Sequence, residues 1–309
     1  MSLGFILTSI QMNIPIVLIH QGDSYYLYRS LFMLNRFYKP NEIYLIGNEA
    51  NKHYSGFCTH ISFNDFAGNT KEIQDSFFNL SSNGADFEFI CIQRWFVLAE
   101  FIKLKQLPQA IYMDSDILIY DKLDKYVPLF SGFGMTMIGI SGHTNFILKP
   151  EILNHFCSYI LNFYTSEIGR SQLEKLYSDE YLSKNRAGGI SDMTFFTKYL
   201  KEFPANILNL ENYSKEFVID RAFAESNGFE TNSDGMKRLN WKGDIPYVKE
   251  MGTSIEKFMV TIHFQGTGKP FMLDAVRPKS ITFKLWDSYF QSRIVLDKAI
   301  RKVKKMLVK

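Results

Sequence analysis

Residues 14–47 read as a strand, a helix and a second strand in direct succession, and no other stretch restricts the fold as tightly. The run 14–19 is β-rich and closes in a polar turn, His20-Gln21-Gly22-Asp23. Leu27, Leu31, Leu34 and Phe37 then recur at helical spacing through residues 25–37, and Lys39-Pro40-Asn41 ends the helix. Residues 42–47 supply the second short apolar run. Strands joined through a helix lie parallel, because the crossover returns the chain to the same end of the sheet. The chain therefore opens with a βαβ unit, the building block of a parallel sheet covered by helices.

The rest of the chain continues in this style. Residues 48–86 are rich in Asn, Ser and Gly and read as short strands or loops. A long apolar helix is expected over 89–107, stopped by Pro108, followed by a third strand at 110–113. A strand at 134–140, helices at 151–164 and 191–203, and a late strand at 257–264 complete the pattern. Hydrophobic residues make up 46% of the 309 positions and aromatic ones 16%, enough for a substantial core, while a charged fraction of 22% without low-complexity tracts excludes disorder. No internal repeat and no Gly/Ser linker divides the chain.

The net charge of +3 is unevenly placed. Residues 293–309 hold seven Lys/Arg against one Asp, a local +6, so the remainder sums to −3. A nucleic-acid binder would spread its basic surface over the folded body, so no nucleic-acid partner is expected. Leu296, Ala299, Ile300, Val303 and Leu307 share a helical stripe in that tail while Lys298, Arg301, Lys302 and Lys305 lie off it, the layout of an interfacial helix drawn to anionic lipid. Cys58, Cys91 and Cys157 are odd in number, widely spaced and free of any C-x-x-C pattern, which points to a reducing compartment. The expected location is cytoplasmic, peripheral to the inner face of the membrane. No charged side chain precedes Asp23, but Gln11, Asn13 and Pro15 break the apolar stretch, so it reads as a buried strand and not as an anchor, with residues 1–11 a dispensable leader.

Two short motifs carry chemistry. Asp114-Ser115-Asp116 follows the third strand, and ligands in open α/β sheets bind beyond the carboxyl ends of strands. Two carboxylates one residue apart can share a hard divalent cation and leave positions open for phosphate oxygens. Such a triplet also arises by chance, so its setting between apolar strands carries the argument. The second motif is His263-Phe264-Gln265-Gly266-Thr267-Gly268-Lys269-Pro270-Phe271. A histidine at a strand end can complete a site with two carboxylates. The glycines allow close backbone approach to an anion, and Lys269 can offset phosphate charge. The bland alternative is an ordinary Gly-Pro turn.

Together, the D-x-D and the H-x-x-G-x-x-K-P-aromatic pattern resemble the retaining glycosyltransferases of family 8 and their GT-A relatives. The resemblance implies an α/β fold of the GT-A nucleotide-diphospho-sugar transferase type, with a mostly parallel central sheet flanked by helices. Residues 1–285 would form the single GT-A domain and 286–309 a basic amphipathic C-terminal helix. It further implies that Asp114, Asp116 and His263 bind Mn²⁺ or Mg²⁺, that Lys269 contacts phosphate, and that the donor is a nucleotide diphosphate sugar, a UDP-sugar in this family. Asp23-Ser24-Tyr25-Tyr26 resembles the family's D-x-x-Y turn, which would set Asp23 at the base or ribose and Tyr26 against the base. Gln21, Ser115 and Gly266 join the expected donor site. Phe271 stands where the family has Trp, and the later D-Q-D element is reduced to Asp192 after Gly188-Gly189.

Three further features fit the same site. Arg94 sits on the helix before the metal strand, where GT-A relatives carry a basic residue facing the donor; the alternative is an arginine snorkelling from a core helix. Asp192 is the candidate catalytic carboxylate, or an N-cap. Ser141-Gly142-His143-Thr144-Asn145, at the end of another strand, is expected to line the sugar or acceptor pocket through His143, Thr144 and Asn145, or to form a plain polar loop. The acceptor is expected to be a glycan or a lipid-linked molecule, in surface polysaccharide assembly. A HAD-type phosphatase needs Thr or Val where Leu118 stands. A sugar-phosphate nucleotidyltransferase needs a glycine-rich basic loop after the first strand, where this chain has Gly22 alone and no basic residue. A non-catalytic nucleotide-sugar-binding protein at the membrane is the remaining alternative.

Overall fold

The computed structural model describes residues 14–307, and of residues 67, 69 and 297–307 the backbone alone. The leader expected at 1–11 and the side chains of the basic stripe beyond Leu296 lie outside the described residues.

Strand β1 (Ile16–Ile19) buries all four of its side chains, helix α1 (Tyr25–Leu34) follows, and β2 (Ile43–Gly47) pairs parallel to β1 in register Ile16 to Ile43, so the opening βαβ unit forms as expected. Strand β3 (Thr59–Ser62) adds on the far side of β2, also parallel. Helix α2 (Ala85–Leu104) leads to β4 (Ala110–Met113), which pairs parallel to β1. Helix α2 begins and ends earlier than the expected 89–107. Its stop is Gln106 at φ 51°, with Leu107 N–H donating to Ile102 O and Gln106 N–H to Lys103 O, a Schellman closure completed before Pro108 is reached.

After β4 the chain leaves this sheet. Strand β5 (Ile117–Ile119) belongs to a second sheet, while β6 (Met135–Met137) is shorter than the expected 134–140. Gly139 at φ 62° reverses the chain there, and Ile138 and Ser141 exchange backbone hydrogen bonds across the turn. Strand β7 (Thr144–Ile147) returns antiparallel to β4 and completes the first sheet in the order β3-β2-β1-β4-β7. Helices α3 (Pro150–Thr165), α4 (Glu167–Tyr177) and α5 (Asp192–Glu202) follow, with Pro150 at the first turn of α3, where its missing N–H costs nothing. Strand β8 (Ile207–Asn209) pairs with β6, and β9 (Phe217–Ile219) then enters the second sheet. That sheet is completed by β10 (Asn240–Lys242), β11 (Ile245–Lys249) and β12 (Glu256–His263), in the order β10-β11-β12-β5 with β9 parallel to β12.

The result is a mixed α/β fold with a parallel-rich main sheet buried on both faces. Alternation along β1 divides the core: Val17 and Ile19 face α2, α3 and α5, whereas Ile16 and Leu18 face α1 and the second sheet. Helix α6 (Ile281–Leu307) closes the second half by seating Phe283 and Phe290 against Tyr28 and Tyr54. The Arg29 guanidinium on α1 meets the Asp287 carboxylate on α6 in two parallel bonds of 2.8 and 3.1 Å, with both side chains almost fully buried. Among the described residues no helix is long and apolar enough to cross a membrane.

Removing one partner of a buried pair strands the other charge, so Asp287→Ala is expected to cost about 3–5 kcal/mol. Arg29→Met combined with Asp287→Ala should cost less than the single change, and urea unfolding of the three proteins measures the difference.

Candidate functional site

The two sheets meet at Asp114-Ser115-Asp116, where the chain crosses from β4 to β5. Both ends of the crossing are held by backbone bonds: Asp114 N–H donates to His143 O at 2.8 Å, and Phe264 N–H donates to Asp116 O at 2.9 Å. Antiparallel pairing of β12 with β5 sets His263 opposite Ile117, which brings its ring beside Asp116. His263 Nε2 lies 3.5 Å from Asp116 Oδ1, and one ligand atom each from Asp114, Asp116 and His263 falls within 4.8 Å of the others. His263 Nδ1 is 2.7 Å from Arg221 O. A carbonyl only accepts, so Nδ1 carries the proton and Nε2 is left facing the carboxylates. Two hard oxygens and one imidazole nitrogen, held from behind and grouped this closely, fit a divalent cation such as Mn²⁺ or Mg²⁺.

The support behind His263 is itself buried. Asp220, just past β9, accepts the His263 backbone N–H through Oδ2 at 3.1 Å, and its own carbonyl accepts from His143 Nε2 at 2.9 Å. The His143 ring stacks on His263 with centroids 4.0 Å apart, and burial together with the neighbouring His263 holds His143 far below the usual histidine range, as a neutral ring. Lys237 pairs with Asp220 at 2.9 Å and donates to the carbonyls of Ala222 and Glu225, so it ties down the segment that orients both histidines.

Charge in the site is closely compensated. Burial alone would raise Asp116, but the hydrogen bond and charge of His263, with Lys269 at 3.2 Å, hold it well below the usual carboxylate range. Lys269 is raised by the same contact in spite of its burial, and its ammonium lies 4.6 Å over the Tyr26 ring. Asp114 is raised by burial, even though its Oδ1 accepts from Tyr112 Oη at 2.6 Å and Arg94 Nη1 at 2.8 Å. Arg94 also reaches Asp192 Oδ2 at 2.6 Å, where Trp95 Nε1 donates at 3.0 Å.

These groups stand in one cavity of ≈ 940 Å³. Of the residues expected from sequence, Gln21, Tyr26, Arg94, Ser115, Gly266 and Lys269 line it together with the triad and Asp192. Asp23 does not. Its carboxylate accepts from Tyr54 Oη at 2.9 Å and lies 3.4 Å from His53 Nε2, turned into the interior beside α6. His143, Thr144 and Asn145 are not lining residues either: they are at most 1% exposed, in and just before β7, and Asn145 Oδ1 accepts from Thr136 N–H. The neighbouring Ser141 reaches the cavity in their stead.

Sequence reasoning missed His20, Asn51, Asp220 and Lys237. His20 lines the cavity with Nδ1 2.8 Å from Ser115 Oγ, and burial brings its pKa down to about 4. Asn51, fully buried, donates to the carbonyls of His20 and Gly22 and pins the turn after β1.

No protein-family model and no curated protein matches the chain. Among solved structures, mouse xyloside xylosyltransferase 1 in its apo form is similar at 12% identity and TM-score 0.42, over 66% of this chain and 86% of that one. The WbbM bifunctional glycosyltransferase is similar at 13% identity and TM-score 0.43, over 92% of this chain and 52% of that one. The glycosyltransferase GlyE of Streptococcus pneumoniae TIGR4 is similar at 15% identity and TM-score 0.34, over 66% of this chain and 47% of that one. The chain thus spans about half the length of WbbM and GlyE. Likeness this weak leaves the chemistry of the site to its own residues.

His263 has a folded pKa raised by Asp116 against the opposing effect of burial. Its protonated form therefore stabilises the metal-free protein below the ordinary histidine pKa of about 6.5, and that contribution is lost as pH rises through the raised value. A cation at Nε2 must displace the same proton, so the rise in melting temperature caused by Mn²⁺ should grow from pH 6 to pH 8. A Mn²⁺ effect that is constant or shrinks over this range would count against His263 as a ligand.

Proposed function

We propose that this chain is a metal-dependent glycosyltransferase of the GT-A type, moving a sugar from a nucleotide diphosphate donor to an acceptor hydroxyl. The observation that carries the reading is the grouping of Asp114, Asp116 and His263 beside Lys269 on the wall of one large cavity. A divalent ion held by the three ligands supplies positive charge to a leaving diphosphate. Lys269, already paired with Asp116, adds a second positive charge on that side, and Arg94 a third beside Asp114. The acceptor oxygen bonds to the anomeric carbon, the bond from that carbon to the diphosphate breaks with its electron pair, and the hydroxyl proton leaves with the diphosphate or to solvent.

Asp192 already accepts from Arg94 and Trp95 on one oxygen. We assign it the positioning of the Arg94 guanidinium at the sugar end of the cavity. That assignment favours a retaining route, since an inverting one needs an unencumbered carboxylate base at the acceptor hydroxyl. Gln21, Ser24 and Tyr26, beyond Lys269, are assigned to the nucleoside, with uridine the expected base, and a hexose the expected sugar in surface polysaccharide assembly.

Peripheral attachment to an anionic membrane in the cytoplasm belongs to the same reading. It is supported by Ile281, Leu285, Tyr289 and Leu296, exposed apolar side chains on α6, and by the seven basic residues in 293–309. The full chain is expected to sediment with vesicles rich in phosphatidylglycerol, to ignore neutral vesicles, and to lose the interaction when the chain is cut after residue 292.

Thermal denaturation with UDP, GDP, CDP or ADP, with and without Mn²⁺, tests the donor. A ligand at 100 times its dissociation constant adds about 2.7 kcal/mol. One diphosphate is expected to stabilise the protein only with Mn²⁺, and Asp116→Ala to abolish that gain. If no nucleotide stabilises the wild-type protein under any metal, the glycosyltransferase reading fails.

A further inference from the structure

The wall of the cavity changes character on either side of the triad. On the Asp116 side stand Lys269, Tyr26 and Gln21, a charged and hydrogen-bonding surface. On the Asp114 side, beyond Arg94, the lining residues of α2 step back along one helical face through Cys91 and Ile90 to Phe87. Phe87 is 61% exposed in the first turn of that helix. Met193, 40% exposed, stands next to Asp192 at the start of α5 and lines the same end. At 1.5 Å per residue, Phe87 lies about 10 Å along α2 from Arg94, farther than a single pyranose held at the guanidinium extends. Single exposed apolar side chains are ordinary on a protein surface. Here two exposed ones and the half-buried Ile90 line one cavity, on the α2 and α5 wall that also carries Arg94 and Asp192.

Resting on the glycosyltransferase reading, we infer that Phe87, Ile90 and Met193 form an acceptor subsite for an apolar group attached to the accepting sugar. The acceptor is then an amphiphilic glycoside, with its hydroxyl presented near Arg94 and its apolar aglycone laid against Phe87 and Met193. Free oligosaccharides bury less apolar area against these side chains than an alkyl or lipid aglycone does, and gain correspondingly less from them. Thr144 and Asn145, closed off in β7, have no access to this role; Asn83, Glu88, Ser141 and Ser191 are polar groups that line the cavity with Phe87, and the buried Glu88 carboxylate is already occupied by donors from Ser81 and Asn83.

The test uses methyl, butyl and octyl β-D-glucopyranosides and the matching galactosides as probes, below their micelle concentrations. Their binding to the wild-type protein is measured by saturation-transfer NMR in the presence of UDP and Mn²⁺. Each methylene that is fully buried tightens binding about fourfold, so even partial burial of the octyl chain should give at least about a tenfold gain over methyl for one head group. Phe87→Ser with Met193→Ser is expected to reduce that gain to less than about threefold. Phe87→Leu should retain it, and an unchanged melting temperature shows that the double variant is folded. Equal binding of methyl and octyl glycosides, no binding of any, or an octyl gain that survives the double substitution overturns the proposal. The last outcome would direct the chain to another apolar surface, such as the outer face of α6. Failure of UDP with Mn²⁺ to bind the wild-type protein sinks the donor reading instead, and leaves a Phe87-dependent octyl gain standing as evidence for the apolar subsite.

Discussion

Pairing between β12 and β5 is the contact on which the site depends. A strand shows alternate faces, so a slip of one residue would turn His263 away from Asp116 and send Ile262 or Phe264 into its position. The slip is prevented at both ends. Phe264 N–H is bonded to Asp116 O, and the Asp220 carboxylate takes the His263 N–H from the other side. Asp220 is fixed in turn by Lys237, so a buried ion pair with no exposure to the cavity decides where a cavity-facing imidazole points. An ammonium is costly to bury, and Lys237 is tolerated because one carboxylate and two carbonyls satisfy it.

The same economy governs the carboxylates. Asp114 and Asp116 sit close together in a poorly hydrated wall, an arrangement that repels unless positive groups stand nearby. Arg94 answers Asp114, while His263 and Lys269 answer Asp116, and Asp192 keeps Arg94 in place. The cations are therefore ordered before any anion arrives, which is how fixed dipoles and charges assist a reaction in which negative charge builds on a leaving group.

Much of this was legible in the sequence, for identifiable reasons. The period of the apolar residues announced the βαβ opening, and the strand before Asp114 with the strand that ends at His263 marked two strand ends that come together in the site. What escaped detection depends on tertiary contact. Asp220 lies in a stretch with no motif, and Lys237 in a loop of polar residues indistinguishable from a solvated turn. His143 to Asn145 were expected at the sugar pocket because polar residues beyond a strand end commonly line one, yet Thr144 and Asn145 lie within the buried β7, where Asn145 Oδ1 accepts the Thr136 N–H. Asp23 resembled a nucleotide-facing acid, but His53 and Tyr54 are folded against its carboxylate, and no local spacing foretells that meeting.

The triad draws its members from distant parts of the chain, and this orders events during synthesis. Asp114 and Asp116 leave the ribosome first, following Arg94, Tyr112 and strands β1 to β4 of the first sheet. Asp220, Lys237 and His263 emerge more than a hundred residues later. Until β12 docks, the two acids have Arg94 for company and lack the imidazole of His263, so a nascent chain holds only part of the proposed cation site. On the proposed metal reading, competence would arrive as one of the last acts of folding, and occupancy of the site would report that the two sheets have joined.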